Sequence, residues 1–261
     1  TRFTIEKEPE STLVDEDIVW NYGRVTESNL FKGRQQILSD LVYHYKSIDR
    51  DKSYILYGLT RTGKTSILKY LGDEIDGAKI RLQGTEYVVC TFLWELNEAA
   101  EYKKASDFWE YVLSTQIFDH IEKYGIDTTG YNFPTQPRAK DFVLLLTFLH
   151  NKGYYPLILV DEFSYIKTLM DDKVINSAFL AAIRQHSLNG LASFIFAGTY
   201  DIKDLIRNPK YGITGQLVNS IEMQINEIPK EDAEDLINVM QDKLIFSPEA
   251  ISHIHKLSGD I

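Results

Sequence analysis

Between Gly58 and Ser66 the chain reads GLTRTGKTS, with the apolar run SYILYG directly before it and Ile67, Leu68, Leu71 and Ile75 spaced as one helical face directly after it. Gly58, Gly63, Lys64 and Thr65 meet the spacing GxxxxGK[ST]. A string that short also arises by chance, so its surroundings decide. Gripping a phosphate needs a strand that delivers the loop, glycines where the backbone turns tightly, a helix that begins at the loop's end, and N–H groups of that first turn aimed at the anion. All four are legible here. In that reading Gly58, Arg61, Thr62, Gly63, Lys64, Thr65 and Ser66 cradle a nucleotide's phosphates. Lys64 holds the β and γ phosphates as a point charge, and the Thr65 hydroxyl ligates Mg2+. Arg61 either reaches the γ-phosphate or stays solvated.

A second feature is independent of the first. PLILVDEF places Asp161 and Glu162 at the end of an apolar run, and a buried parallel strand would carry them to the sheet edge where phosphates and metal gather. Taken alone, two acids after a strand open an ordinary solvated loop. After a phosphate loop, with a strand and helices between, Asp161 reads as holding the metal's water shell and Glu162 as orienting or deprotonating the attacking water. FIFAGT ends in Thr199, where a hydroxyl from the neighbouring strand would reach the γ-phosphate or the water. Threonine is also an ordinary strand-end residue.

The rest of the chain supplies an alternating order. A helical face runs from Arg34 to Lys46; YVVCTFLW at 87–94 reads as a strand buried on both faces; helices follow after Ser106, a plausible N-cap, and over 138–152. A long helical stretch then reaches Ser187, LASFIFAGT makes a further strand, and SIEMQIN, with Ile221, Met223 and Ile225 on one side, a last one nearer an edge. Strands alternating with helices need crossovers, hence an α/β fold: a mostly parallel sheet with helices on both faces. Pro229 opens a helix, and Ser247 with Pro248 caps another. The expected division is an arm or linker over 1–28, a core over 29–228, and the start of a helical lid over 229–261. The chain starts at Thr1 rather than Met, and a longer protein is expected around it.

Composition narrows the partners. The net charge of -10 repels a nucleic-acid backbone overall, so DNA or RNA binding is not indicated and a nucleotide or protein partner is favoured. The single cysteine, Cys90, sits in an apolar run and can make no internal disulfide, which fits a reducing, cytoplasmic setting. No apolar stretch approaches the roughly 18 residues that would cross a membrane. His253 and His255 are two apart on an expected helix and face different sides, which argues against zinc. The string LSGD, reminiscent of a transporter ATPase signature, follows the acidic strand instead of preceding it and carries no weight.

With these residues in place, LFKGRQQILSDLV, YGLTRTGKTSILKYL, LILVDEF, FIFAGT and IEMQINEIPKEDAEDLI resemble the STAND-type, AAA+ related P-loop ATPases of prokaryotes. The resemblance runs from about Asn21 to Ile261. It implies a P-loop NTPase fold of the RecA/AAA+ kind with a partial helical lid, ATP and Mg2+ as cofactors, and Arg34 of the Gly33–Arg34 pair near the adenine. It further implies a slow regulatory ATPase in a larger signalling or antiviral-defence protein. Other domains of the same chain and a nucleotide-dependent homo-oligomer would be its partners. The absence of an NKxD guanine-reading motif leans the same way, toward ATP. No arginine finger precedes SIEMQ; Arg184 and Arg207 are the nearest arginines and read as surface residues, which suits a slow switch better than a motor. Two other classes share the motifs: a DNA-associated AAA+ protein of the initiator or transposition-regulator kind, and a nucleotide-locked scaffold in which Glu162 has no task.

Overall fold

The computed structural model describes residues 33–46, 53–211, 213, 217, 220–229, 232–233 and 247–258. The expected arm over 1–28 and much of the expected lid lie outside the described residues. Strands are β1 (Tyr54–Tyr57), β2 (Lys79–Leu82), β3 (Thr85–Glu95), β4 (Tyr154–Asp161), β5 (Ser193–Gly198) and β6 (Ile221–Gln224). Helices are α1 (Gln35–Lys46), α2 (Lys64–Ile75), α3 (Leu96–Ala99), α4 (Ala105–Glu110), α5 (Ala139–Asn151), α6 (Ile166–Asp171), α7 (Ser177–Leu188), α8 (Asp201–Arg207) and α9 (Pro248–Ser258). Among the described residues the strands form one six-stranded sheet in the order β2-β3-β4-β5-β1-β6, parallel except for β2.

The near-continuous apolar runs form the strands because both faces are covered. Ile55, Phe92, Trp94, Ile158, Val160, Phe194 and Phe196 point to one face, against α5, α7 and the segment 105–126. Their neighbours Tyr54, Leu56, Val89, Leu157, Leu159, Ile195 and Ala197 point to the other, against α1 and α2. Each fully buried Leu, Ile or Phe contributes about 1.5–3 kcal/mol, so the two cores hold the strands in register. That register matters for function. Tyr57 stands opposite Gly198 and Gln224, and Glu95 opposite Asp161, so the C-terminal ends of these strands share one edge. β1 lies between β5 and β6, and its loop opens between strands reached in opposite directions, where open α/β sheets bind ligands.

Two local expectations differ from the structure, and one element, a hairpin, is not among the expectations. Residues 79–88 form a β-hairpin, because Gln83 and Gly84 both adopt positive φ and make a two-residue turn; Gln-Gly is a weaker sequence mark for it than Asn-Gly. The helix expected after Ser106 starts at Ala105, turns into a π-helix at Tyr111–Thr115 and continues as a 3-10 helix at Phe118–Tyr124. Tyr111, Val112 and Leu113 are consecutive and all buried, a wider apolar face than an α-helix presents. The long helix expected up to Ser187 is two, α6 and α7, because Val174 and Ile175 tuck into the core with their N–H groups on Leu169 O. Elsewhere Gly153 ends α5 with φ 83, and the Ser247 hydroxyl accepts from Ala250 N–H as the cap of α9.

Candidate active site

α2 begins at Lys64 directly after Gly63, whose φ of 83 lets the loop turn into the helix. The first-turn N–H groups of a helix have no partners within it, and here no side chain among the described residues caps them and no acid stands in the first turn. The positive end of α2 is therefore open to an anion. Arg61 is exposed, with φ 65, and Ser66 lies half-buried in the first turn. The loop is held in place by Gly58 N–H donating to Gly198 O (3.3 Å) and the Thr62 hydroxyl donating to Leu59 O (2.8 Å).

Lys64 is 7% exposed, and its ammonium donates to Leu59 O at 2.6 Å and Gly58 O at 3.3 Å. Burial lowers its pKa, and the charges of Glu162 and Asp161 oppose that. The Thr65 hydroxyl donates to Asp161 Oδ2 at 2.5 Å, so α2 and β4, 96 residues apart in sequence, meet at one point. Asp161 is 4% exposed, and its Oδ1 accepts Glu162 N–H at 2.9 Å. Glu162 takes a left-handed backbone (φ 51), which swings its side chain out of the strand direction. Burial and the charge of Asp161 raise its carboxyl pKa, with Glu95 adding and Lys64 opposing. A half-buried threonine hydroxyl against a buried carboxylate is a hard oxygen pair suited to Mg2+, with phosphates and waters supplying the other ligands. Among the described residues no group of three or more His, Cys, Asp or Glu could hold a metal alone.

Thr199 follows β5, and its hydroxyl lies 3.1 Å from the Ser164 hydroxyl in the turn after Glu162. Arg34, 9% exposed, donates to Thr62 O (2.9 Å) and to Asn226 O (2.5 Å), which ties the phosphate loop to the segment after β6. Gly33, at φ 80, lies so close to Asp232 that a Cβ would stand 2.8 Å from its Oδ2. The structure thus gathers Gly58, Thr62, Gly63, Lys64, Thr65, Asp161, Glu162, Thr199 and Arg34 along the strand ends. Arg207 is exposed at the end of α8, and Arg184 sits on α7. Sequence reasoning missed Ser164, Glu95, Asn226 and Asp232. Only the end of the apolar run YVVCTFLW, which puts Glu95 at a strand end, could have found one of them.

No protein-family model matches the sequence, and no curated protein does. The structure is similar to the Aeropyrum pernix ORC2 protein in its ADPNP–ADP complexes, with 12% identity over 87% of this chain and 57% of that one and a TM-score of 0.57. It is also similar to a chain of the E. coli MS115-1 HORMA:CdnC:Trip13 complex (11% identity, 88% of this chain and 75% of that one, TM-score 0.53). A third likeness is to the Aeropyrum pernix ORC1 protein in complex with DNA (13%, 84% and 51%, TM-score 0.52). The chain covers little more than half the length of the two ORC proteins. With its sheet order and its loop–helix junction, this chain has the fold of an AAA+ P-loop ATPase domain.

Proposed function

We propose that this chain binds MgATP and hydrolyses it slowly, as the regulatory switch module of a larger STAND-like signalling or antiviral-defence protein. The observation that carries the ATPase reading is the meeting of Thr65 and Asp161 beside Lys64 at the uncapped start of α2. In this reading the α2 N–H groups and Lys64 hold the β and γ phosphates, and Thr65 with Asp161 holds Mg2+. The bound metal would neutralise charge that develops on the phosphate oxygens. Glu162 accepts a proton from the water whose oxygen attacks the γ-phosphorus, while the bond from that phosphorus to the β,γ-bridging oxygen breaks and ADP leaves. A carboxyl whose pKa is raised by burial suits such a base. Thr199, fixed by Ser164, positions the water or a γ-phosphate oxygen. Residues 29–228 form the ATPase core and 229–261 the beginning of a lid that reports nucleotide state to neighbouring domains or to a second copy.

A second reading, a DNA-associated AAA+ protein, is favoured by the fold likeness to ORC1 in complex with DNA and opposed by the net charge of -10. Two titrations test these readings. MgATP should raise the melting temperature of the wild-type chain, and Lys64→Ala should abolish the shift, because a ligand stabilises only a native state that it binds. A shift retained in Lys64→Ala removes the phosphate assignment. Tight, salt-sensitive binding of duplex DNA near physiological salt would replace the first reading by the second.

A further inference from the structure

A cleft of about 420 Å3 lies beside the site rather than over the phosphate loop, between α2 and the outer edge of β3. β2 pairs with β3 only from Thr85 to Val88, so beyond that point no strand flanks this edge among the described residues. Val88 N–H bonds Gly153 O on the β4 side, Val89 N–H bonds Ala78 O, and Thr91 N–H bonds Asp76 and the Tyr124 hydroxyl. Strand alternation therefore turns the N–H and C=O of Leu93 outward along the cleft, and neither has a partner on that side among the described residues. Gln116 is 7% exposed and lines the same cleft, and among the described residues nothing bonds its carboxamide. Both groups face an open cleft, where a ligand's own donor and acceptor can take the place of water on them.

Charge selects the ligand. Asp73, Glu95 and Glu98 line the cleft with His120, Lys69 and Lys123, but Lys123 is already held by Asp76 at 2.8 Å, and Glu98 accepts from the Tyr111 hydroxyl at 3.1 Å. Three carboxylates thus face one lysine that has no ion pair among the described residues. A small cation would satisfy the carboxylates and leave the Leu93 edge and the Gln116 amide unpaired; a peptide unit satisfies both. We infer that this cleft binds a basic peptide segment in extended conformation, its backbone pairing with Leu93 and Gln116 and its Lys or Arg side chains facing Asp73, Glu95 and Glu98. Glu95 stands in register with Asp161, so a cation bound there bears on Glu162. That coupling rests on the proposed ATPase activity; the binding does not.

The test uses acetyl-Ala-Arg-Ala-Arg-Ala-amide, titrated by calorimetry without nucleotide, with hydrogen exchange followed at Leu93. The expected result is saturable 1:1 binding and slowed exchange at Leu93. Gln116→Leu, Glu95→Gln and a backbone N-methylated peptide should each weaken binding about tenfold or more. Equal binding of spermidine or of the Glu-substituted peptide, unprotected Leu93, or indifference to N-methylation would overturn the inference. Should Gln116→Leu not fold, the N-methylated peptide decides on the wild-type chain. Because no nucleotide is present, a lost ATPase reading leaves this result standing.

Discussion

Gly58 has no room for a methyl group. A Cβ built there stands 2.2 Å from Ile225 O and 3.3 Å from Thr62 Oγ1, so in Gly58→Ala the segment after β6 must withdraw by roughly 1 Å. That segment is anchored by Ile225 N–H on Tyr57 O (2.7 Å) and by Arg34 on Asn226 O. Overpacking costs about 1–3 kcal/mol, and each strained or lost hydrogen bond about 1 kcal/mol. The sum is about 2–5 kcal/mol, and about 2–4 °C per kcal/mol for a domain of this size gives a melting temperature lower by about 4–20 °C. A loop displaced by roughly 1 Å should also lose about 10²-fold in turnover. Gly63→Ala is the control from the same motif. Nothing among the described residues lies within 4 Å of a Cβ built there, so its cost is the left-handed backbone, about 1–2 kcal/mol. Differential scanning fluorimetry with and without MgATP, and a phosphate-release assay, measure both variants. If Gly58→Ala melts with the wild type, or no lower than Gly63→Ala, the contact with Ile225 is not what requires glycine.

Glu162→Gln should retain the MgATP-induced melting shift and lose turnover by about 10²–10⁴-fold, the usual share of a general base; normal turnover would remove Glu162 from the mechanism. Because the folded carboxyl pKa lies above its ordinary value, the acid limb of the rate should fall above the usual glutamate range, and Glu95→Gln should move it down. For stability the sign is the reverse of a salt-bridged acid: the penalty is complete above the folded pKa and gone below the unfolded one. Glu162→Gln should therefore stabilise the nucleotide-free chain at neutral pH and not in acid, which melting curves across pH would check. Both Arg34 bonds come from the one nitrogen Nη2, so Arg34→Leu, which removes them together, should lower both the melting temperature and the MgATP shift. Unchanged melting would mean that Nη2 does not join the two segments.

The fold and the centre of the site were legible because both rest on side-chain chemistry at fixed spacing. A phosphate loop must have its strand and helix, and an apolar run ending in Asp161 must deliver that aspartate to the strand ends; register then brings it to Thr65. What escaped the sequence is made by backbone. Asn226 enters through its carbonyl, which any residue would offer to Arg34, and Ile225 through an oxygen that only proximity to Gly58 makes important. Glu95 gains its bearing on Glu162 from a pairing between β3 and β4 that no local pattern specifies. The break within 105–124 escaped for a related reason: a helical period cannot announce that three successive residues will all be buried.

These backbone contacts also give the proposed switch a physical form. Arg34 spends its guanidinium on carbonyls of two segments, the phosphate loop at Thr62 and the chain leaving β6 at Asn226, and is not committed to a carboxylate by any hydrogen bond or ion pair among the described residues. Gly58 lets the same two segments approach closely, and Gly33 does so for Asp232, seven residues after Ile225 in the direction of the proposed lid. A triphosphate that reshapes the loop at Thr62 would therefore pull on a bond whose far end, Asn226, lies just before the proposed lid. A coupling of this kind needs differential contacts in the two states, and in the proposed switch they would be the two hydrogen bonds of Arg34, each worth about 1.5–3 kcal/mol. Strain or loss of either would be enough to change the balance between two positions of the proposed lid by about tenfold or more, which is the scale on which a slow ATPase can act as a switch.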